Sequence, residues 1–122
     1  PNTKFFVFET NKLFFKILKE KINDERVILI NDSAEKIAFY IKNQKITKVD
    51  YIISALPLSL IPVDIKNSII QNSIKYLKND GQYVQFQYTP YDYRRLKRYF
   101  NKVKLSLTFT NFPPAFLYRC YP

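Results

Sequence analysis

The chain has 122 residues, which fits at most one domain and is long enough to bury a core. Its hydrophobic content of 47% excludes a disordered chain, and its net charge of +10 favours an anionic partner, although a lysine-rich composition alone would also produce that charge. Without histidine and with one cysteine, Cys120, the chain cannot form Ser–His or Cys–His catalytic pairs, an internal disulfide or a Cys-based zinc site. The acidic residues are scattered, so we expect no bound metal.

The sequence also bears on location. No apolar run reaches the roughly 18 to 20 residues that span a bilayer, and no export signal is visible. We therefore expect a cytoplasmic protein.

Hydrophobic periodicity predicts the element order β-α-β-α-β-α-β-α-β-β. The predicted strands are Phe5–Glu9, Val27–Ile30, Val49–Ile53, Tyr83–Tyr88, Lys102–Thr110 and Ala115–Cys120, and the predicted helices are Asn11–Lys21, Ala34–Asn43, Pro62–Asn79 and 90–100. This alternation predicts an α/β fold with a doubly wound, mostly parallel, Rossmann-like sheet in a single domain, 1–122.

Three details of these elements can be tested against a structure. The strand at 27–30 is continuously apolar, and both it and the strand at 49–53 are expected to be buried on both faces. Gly81, the only glycine, is expected to cap the third helix in a left-handed conformation. The last two strands are expected to form an antiparallel hairpin, with 102–110 half-exposed.

Polar residues follow three of the predicted strands, where open α/β sheets bind ligands. These clusters are Glu9–Asn11, Asn31–Ser33 and Ser54–Pro57. In a dinucleotide-binding fold, an acid at the end of the second strand binds the ribose hydroxyls, about 20 residues after a glycine-rich turn. Only eight residues precede Glu9, and none is glycine. Glu9 is therefore either an ordinary strand-end acid or the ribose acid of a fold whose first strand is missing here.

Three motifs carry a resemblance to a known family. They are Ser54-Ala55-Leu56-Pro57-Leu58, Val84-Gln85-Phe86-Gln87-Tyr88 and Asn111-Phe112-Pro113-Pro114-Ala115. Their order and spacing resemble the bacterial phospholipid N-methyltransferases, class I S-adenosylmethionine-dependent enzymes that methylate phosphatidylethanolamine. The resemblance is strongest from residue 49 onward. It implies a class I methyltransferase fold, with the strand order 3-2-1-4-5-7-6 and a C-terminal antiparallel hairpin.

The same resemblance implies roles for individual residues. Cofactor binding is expected at Glu9 and Thr10 (ribose), Asp32 and Ser33 (adenine edge), and Ser54, Ala55 and Leu56 (methionine end). Substrate binding is expected at Pro57, Leu58 and Tyr88. For Asp32 and Ser54 the alternatives are a turn or helix cap and a loop hydroxyl, and for Leu56 to Leu58 the alternative is core packing.

The family's first strand and glycine-rich cofactor loop have no counterpart in these 122 residues. In the class I order that strand is central, so the strands at 5–9 and 49–53 would flank a gap with unpaired backbone groups. We therefore expect a fragment that is inactive alone, or a partner chain that supplies the missing strand.

A basic segment, 91–104, carries a local charge of +5. As a helix it would place Tyr93, Leu96 and Phe100 on one face, with Arg94, Arg95, Lys97 and Arg98 pointing outward. Such a helix suits an anionic membrane surface, which would place the protein at the inner face of the membrane. It would also suit an RNA backbone.

RNA adenine methylation of the ribosomal dimethylase type is the alternative activity. That family has an "N-[LI]-P-[YF]" segment after its fourth strand, whereas this chain has Ser54-Ala55-Leu56-Pro57-Leu58, without the Asn or the aromatic residue. A non-catalytic basic binding module is the third possibility.

Overall fold

The computed structural model describes residues 2–110 and 112–122. Its strands are β1 Phe5–Phe8, β2 Val27–Ile30, β3 Val49–Ser54, β4 Leu77–Gln87, β5 Lys102–Thr108 and β6 Ala115–Tyr121. Its helices are α1 Lys12–Lys21, α2 Ile37–Asn43, α3 Val63–Tyr76 and α4 Tyr93–Tyr99, with a 3-10 turn at Ala34–Lys36. The element order matches the prediction. The chain forms two compact units, one ending at Ile37 and one beginning at Ala38.

The first unit contains a two-stranded parallel sheet. β1 pairs with β2 from Phe5 opposite Val27 to Phe8 opposite Ile30. The connecting helix α1 begins after Asn11, whose Oδ1 accepts hydrogen bonds from the Leu13 and Phe14 amides at 2.9 and 3.2 Å. This N-cap satisfies two amides that lack partners within the helix.

The second unit contains a four-stranded sheet in the order β3-β4-β6-β5. β3 and β4 are parallel, whereas β6 is antiparallel to both β4 and β5. The predicted C-terminal hairpin is therefore confirmed, and β3 and β5 are the two edge strands of this sheet. The order of this four-stranded sheet matches the 4-5-7-6 part of the class I strand order, and the predicted α/β Rossmann-like fold is confirmed.

The core of the second unit lies on one face of its sheet. Tyr83 of β4 and Tyr118 of β6 are fully buried there against Leu96 and Phe100. The rings of Tyr83 and Phe100 stack with centroids 5.3 Å apart. Offset aromatic pairs of this kind add to the free energy gained by burying their area.

Gly81 departs from the prediction. The third helix ends at Tyr76, and Gly81 lies inside β4 without a positive φ, so it is not a helix cap. A Cβ atom at Gly81 would lie 2.8 Å from the Asp50 carbonyl oxygen and 2.9 Å from the Leu77 side chain. The register of β3 and β4 shifts there, from Val49 opposite Leu77 to Tyr51 opposite Gln82. Glycine is needed for a close approach of two strands.

The expectation that 49–53 is buried on both faces is wrong. Within the second unit Tyr51 is 68% exposed and Ile53 is 79% exposed, while Ile52 between them packs on the core. α3 and α4 supply the core-facing side chains on the Ile52 face. Asn111, the first residue of the third family motif, lies outside the described residues.

Candidate functional site

The carboxyl ends of β1 and β2 are joined through Asn31 in the first unit. Its Nδ2 donates to the Glu9 and Thr10 carbonyl oxygens at 2.8 and 3.3 Å. The Glu9 side chain is half-buried, and its Oε1 accepts the Asn11 amide at 2.7 Å. Glu9 therefore lies at the predicted strand end and also stabilises the turn into α1.

Asp32 and Ser33 follow β2 in the same unit and are partly buried. Asp32 Oδ1 accepts the Ser33 amide at 2.8 Å and pairs with Lys36 Nζ at 3.0 Å. Ser33 caps the following 3-10 turn by accepting the Glu35 amide at 3.3 Å. Asp32 thus has the turn role that was its alternative to adenine binding, and Ser33 caps the turn that follows. Adenine binding by the two residues stays a prediction.

The loop after β3 is held tightly in the second unit. Ser54 is buried, and its Oγ accepts the Leu56 amide at 3.3 Å. Leu58 is fully buried, which favours core packing over substrate contact for its side chain. Ala55 and Pro57 are exposed, and Leu56 is half-buried.

Two glutamines of β4 attach this loop to the sheet. Gln85 Nε2 donates to the Leu56 carbonyl at 2.8 Å, and Gln87 Oε1 accepts the Leu58 amide at 3.0 Å. Gln85 Oε1 in turn accepts the Tyr83 hydroxyl at 2.6 Å. Burial raises the pKa of Tyr83 above its ordinary value, so this phenol remains a donor. Tyr88, just beyond β4, is exposed.

The hydrogen-bond chain continues to a buried acid. Gln87 Nε2 donates to Asp92 Oδ2 at 3.2 Å. Asp92 Oδ1 lies 3.5 Å from both Lys66 Nζ and Arg95 Nε. Arg95 also donates to Asn67 Oδ1 at 3.1 Å. Unlike Arg94, Lys97 and Arg98, which are exposed as predicted, Arg95 turns inward because Asp92 and Asn67 lie beside α4.

A cavity of about 400 Å³ opens beside this cluster. Its lining consists of Ser59, Lys66, Tyr91, Asp92, Arg94, Arg95 and Arg98. With four bases and one acid, the lining carries a charge of +3, which makes it suitable for an anion. Arginine binds phosphate oxygens in a forked geometry.

Sequence reasoning missed Lys66, Gln85, Gln87 and Asp92. Lys66 shares a helix face with Ile70 and Ser73, and a charged residue on such a face indicates a buried ion pair. Gln85 and Gln87 share the buried face of β4 with Tyr83, since the three are spaced two residues apart. Asp92 is the single acid within the basic segment. These signals were in the sequence, but the partners became identifiable only in three dimensions.

Among the described residues, none of the helices combines the length and apolarity that crossing a bilayer requires. No cluster of three or more His, Cys, Asp or Glu within 2–110 and 112–122 could hold a metal ion. No protein-family model matches the chain, and no curated protein matches it significantly.

Solved structures do match. An rRNA methylase from Streptococcus thermophilus aligns over 97% of this chain and 73% of its own, with 15% identity and a TM-score of 0.72. A candidate methyltransferase from Streptococcus mutans, solved with SAH, aligns over 98% of this chain and 76% of its own, with 18% identity and a TM-score of 0.70. Spermidine synthase from Thermotoga maritima aligns over 97% of this chain and 44% of its own, with 19% identity and a TM-score of 0.70.

These likenesses establish the class I methyltransferase fold, as the resemblance of the sequence motifs implied. At such low identity they establish the fold alone, and one of the three bears the name of a different activity.

Proposed function

We propose that this chain is a methyltransferase domain that uses S-adenosylmethionine to methylate the headgroup amine of phosphatidylethanolamine. The observation that carries the proposal is the fixed loop Ser54–Leu58. Gln85 and Gln87 hold it at the carboxyl end of β3, where this fold binds its ligands. The basic cavity in the same unit suits the phosphate group of such an acceptor.

The residues of the first unit suit the nucleoside part of this cofactor. The Glu9 carboxylate can accept about four hydrogen bonds, and one is the 2.7 Å bond from the Asn11 amide. Two neighbouring ribose hydroxyls would add donors to that set. We assign the ribose to Glu9 and Thr10, and the adenine edge to Asp32 and Ser33.

In the second unit we assign the methionine end to Ser54, Ala55 and Leu56, and the acceptor to Pro57, Leu58 and Tyr88. At Leu58 it is the backbone, fixed by Gln87, that shapes the loop, since its side chain is buried.

The chemistry asks for positioning more than for acid–base groups. S-adenosylmethionine, when bound, supplies a methyl group already activated on a sulfonium. The chain orients the acceptor amine and excludes water, and orientation alone can lower a barrier by about 7 to 11 kcal/mol. A partly dry loop environment also favours the neutral amine by lowering its pKa.

The exposed bases of α4, Arg94, Lys97 and Arg98, would bring the domain to the cytoplasmic face of an anionic membrane. Peripheral binding there would present phosphatidylethanolamine to the loop. β3 lies at an edge of the four-stranded sheet, and the unpaired backbone groups of an edge strand suit a further strand from another segment or a partner chain.

RNA methylation is the second candidate. The charge of +10 and the rRNA methylase among the structural neighbours favour it. The loop after β3 argues against it, because no aromatic residue in Ser54–Leu58 could stack on a flipped base.

The test is transfer of a labelled methyl group from S-adenosylmethionine. Phosphatidylethanolamine vesicles, phosphatidylcholine vesicles and ribosomal RNA are offered in parallel. Of the three acceptors we expect label in phosphatidylethanolamine alone, and cofactor binding without label is the result expected of an inactive fragment. Label in RNA alone would replace the proposal with the second candidate, and no label together with no cofactor binding would leave a non-catalytic binding module.

A further inference from the structure

The basic cavity of the second unit has a surplus of positive charge, because buried Lys66 and half-buried Arg95 both lie beside the single buried acid, Asp92. Lys66 is 5% exposed and Asp92 is 4% exposed, so their ion pair is largely shielded from water. The same Asp92 oxygen lies 3.5 Å from both Lys66 and Arg95. One carboxylate therefore faces two cations. A buried charge without a full counter-charge is costly, and a bound anion would remove that cost.

The exposed rim of the cavity adds further cations. Arg94 and Arg98 line it from α4 and are open to solvent. Tyr91 and Ser59 add hydroxyl groups to the same lining. Guanidinium groups, an ammonium and hydroxyls together match the oxygens of a phosphate group.

The surroundings of the cavity favour a lipid as the source of that phosphate. Leu60, directly after Ser59 in the lining, is 82% exposed, and Tyr91 is 80% exposed. Val63, at the start of α3, is also exposed. Apolar side chains beside bases are typical of surfaces that enter the interface of a bilayer. An RNA backbone would give Leu60 and Val63 no apolar partner.

We infer that the cavity lined by Lys66, Arg94, Arg95 and Arg98 binds the phosphate diester of a phospholipid headgroup, while Leu60 and Tyr91 contact the bilayer interface. The inference deepens the proposed function, on which it rests for the choice of a lipid. It assigns a specific phosphate site within a surface that was otherwise expected to act only through diffuse charge.

The chain offers a matched control for diffuse charge. Lys97 lies on the same helix as Arg94 and Arg98, is exposed, and is absent from the cavity lining, with its Nζ 5.5 Å from the Tyr93 ring centroid. R94Q, R98Q and K97Q each remove one positive charge. Only the first two change the cavity.

The experiment titrates the full chain, without cofactor, with soluble glycerophosphoethanolamine and with phosphatidylcholine vesicles containing phosphatidylglycerol. We expect R94Q and R98Q each to weaken binding of the soluble headgroup about tenfold, and K97Q to weaken it less than about twofold. We expect L60S to weaken vesicle binding and to leave headgroup binding unchanged.

Equal effects of R98Q and K97Q on the soluble headgroup would overturn the inference, since they would indicate diffuse charge alone. So would preferential binding of single-stranded RNA over vesicles at matched salt. Inorganic phosphate serves as a further probe. If it binds as tightly as the headgroup in the vesicle-free arm and vesicles do not compete, the site takes free phosphate and the lipid assignment is wrong.

Because these titrations contain no S-adenosylmethionine, their outcome is independent of methyl transfer. Headgroup binding that depends on Arg94 and Arg98 would sustain the pocket whether or not the chain methylates the lipid. Methylation by the wild type together with unchanged headgroup binding in R94Q and R98Q would sustain the activity and refute the pocket.

Discussion

The first and second units bury their side chains to different depths. In the described part of the first unit Ile30 alone is buried, and α1 leaves Leu13 and Phe14 exposed. The second unit buries a continuous cluster around Tyr83, Tyr118 and Leu96. The predicted ribose acid, Glu9, therefore lies in a unit with few buried side chains, while the predicted acceptor loop and the basic cavity lie in a unit with a continuous buried core.

Replacing one leucine in each unit should show this difference most strongly. Leu96 is fully buried in α4, and Leu13 is 65% exposed in α1. We expect Leu96→Ala to lower the free energy of unfolding by about 2 to 5 kcal/mol, and Leu13→Ala to change it by less than about 0.5 kcal/mol. Urea denaturation measures both. Equal losses would contradict the account of a core confined to the second unit.

The pH dependence of stability gives a second test of the same core, through the buried thiol of Cys120. Burial raises the pKa of the Cys120 thiol to about 12, whereas an unfolded thiol has a pKa of about 8.5. The unfolded chain thus loses its thiol proton first, and stability falls as the pH rises above about 8.5. The expected loss is about 2 kcal/mol between about pH 8 and about pH 10.

Lysines and tyrosines also titrate in this range, so the Cys120 contribution is the difference between the wild type and Cys120→Ala in parallel denaturations. Indistinguishable pH profiles for the two proteins would show that the thiol is accessible to solvent in the folded chain.

The glutamine that ties the acceptor loop to the sheet should have a smaller effect on stability. Gln87→Ala leaves the Leu58 amide with the Leu56 carbonyl as its remaining acceptor and removes the donor to Asp92 Oδ2, which we expect to cost about 1 to 3 kcal/mol. Hydrogen exchange at the Leu58 amide should accelerate more than global unfolding explains. Unchanged exchange at Leu58 would show that the loop is held by other contacts.

The smallest effect is expected in the first unit. Asn11→Ala removes the acceptor for the Leu13 and Phe14 amides and should cost about 1 kcal/mol of local stability. The signature is faster amide exchange in α1 with β3 to β6 unaffected. Asn72→Ala removes the same residue type from α3, in the second unit, and should leave amide exchange in α1 unchanged. Unchanged exchange in α1 of Asn11→Ala would refute the capping role of Asn11.

The order of strands and helices could be predicted because hydrophobic periods of 2 and 3.6 residues are local properties of the sequence. The role of Gly81 could not, since it depends on Asp50, a residue of the neighbouring strand. The exposure of Tyr51 and Ile53 could not be predicted either. A local pattern typical of buried strands does not say which layers cover the sheet.

The candidate site likewise contains residues that the sequence predicts and residues that only the fold identifies. Glu9, Asp32 and Ser54 were predictable as strand-end polar residues, because position along the chain sufficed. The inward turn of Arg95 and the burial of Lys66 depend on Asp92 lying between α3 and α4, which only the fold brings about. A single sequence does not identify residues whose role depends on partners that are distant along the chain.

The most direct test of the central claim is equilibrium dialysis of the full chain against labelled S-adenosylmethionine, with Glu9→Gln and Glu20→Gln compared with the wild type. The Glu9→Gln amide oxygen can still accept the Asn11 amide, so the turn into α1 should survive. We predict saturable binding that Glu9→Gln weakens about tenfold or more and that Glu20→Gln, on exposed α1, leaves unchanged. Absence of saturable binding, or equal affinity in all three proteins, would contradict the assignment of Glu9 as the ribose-binding acid.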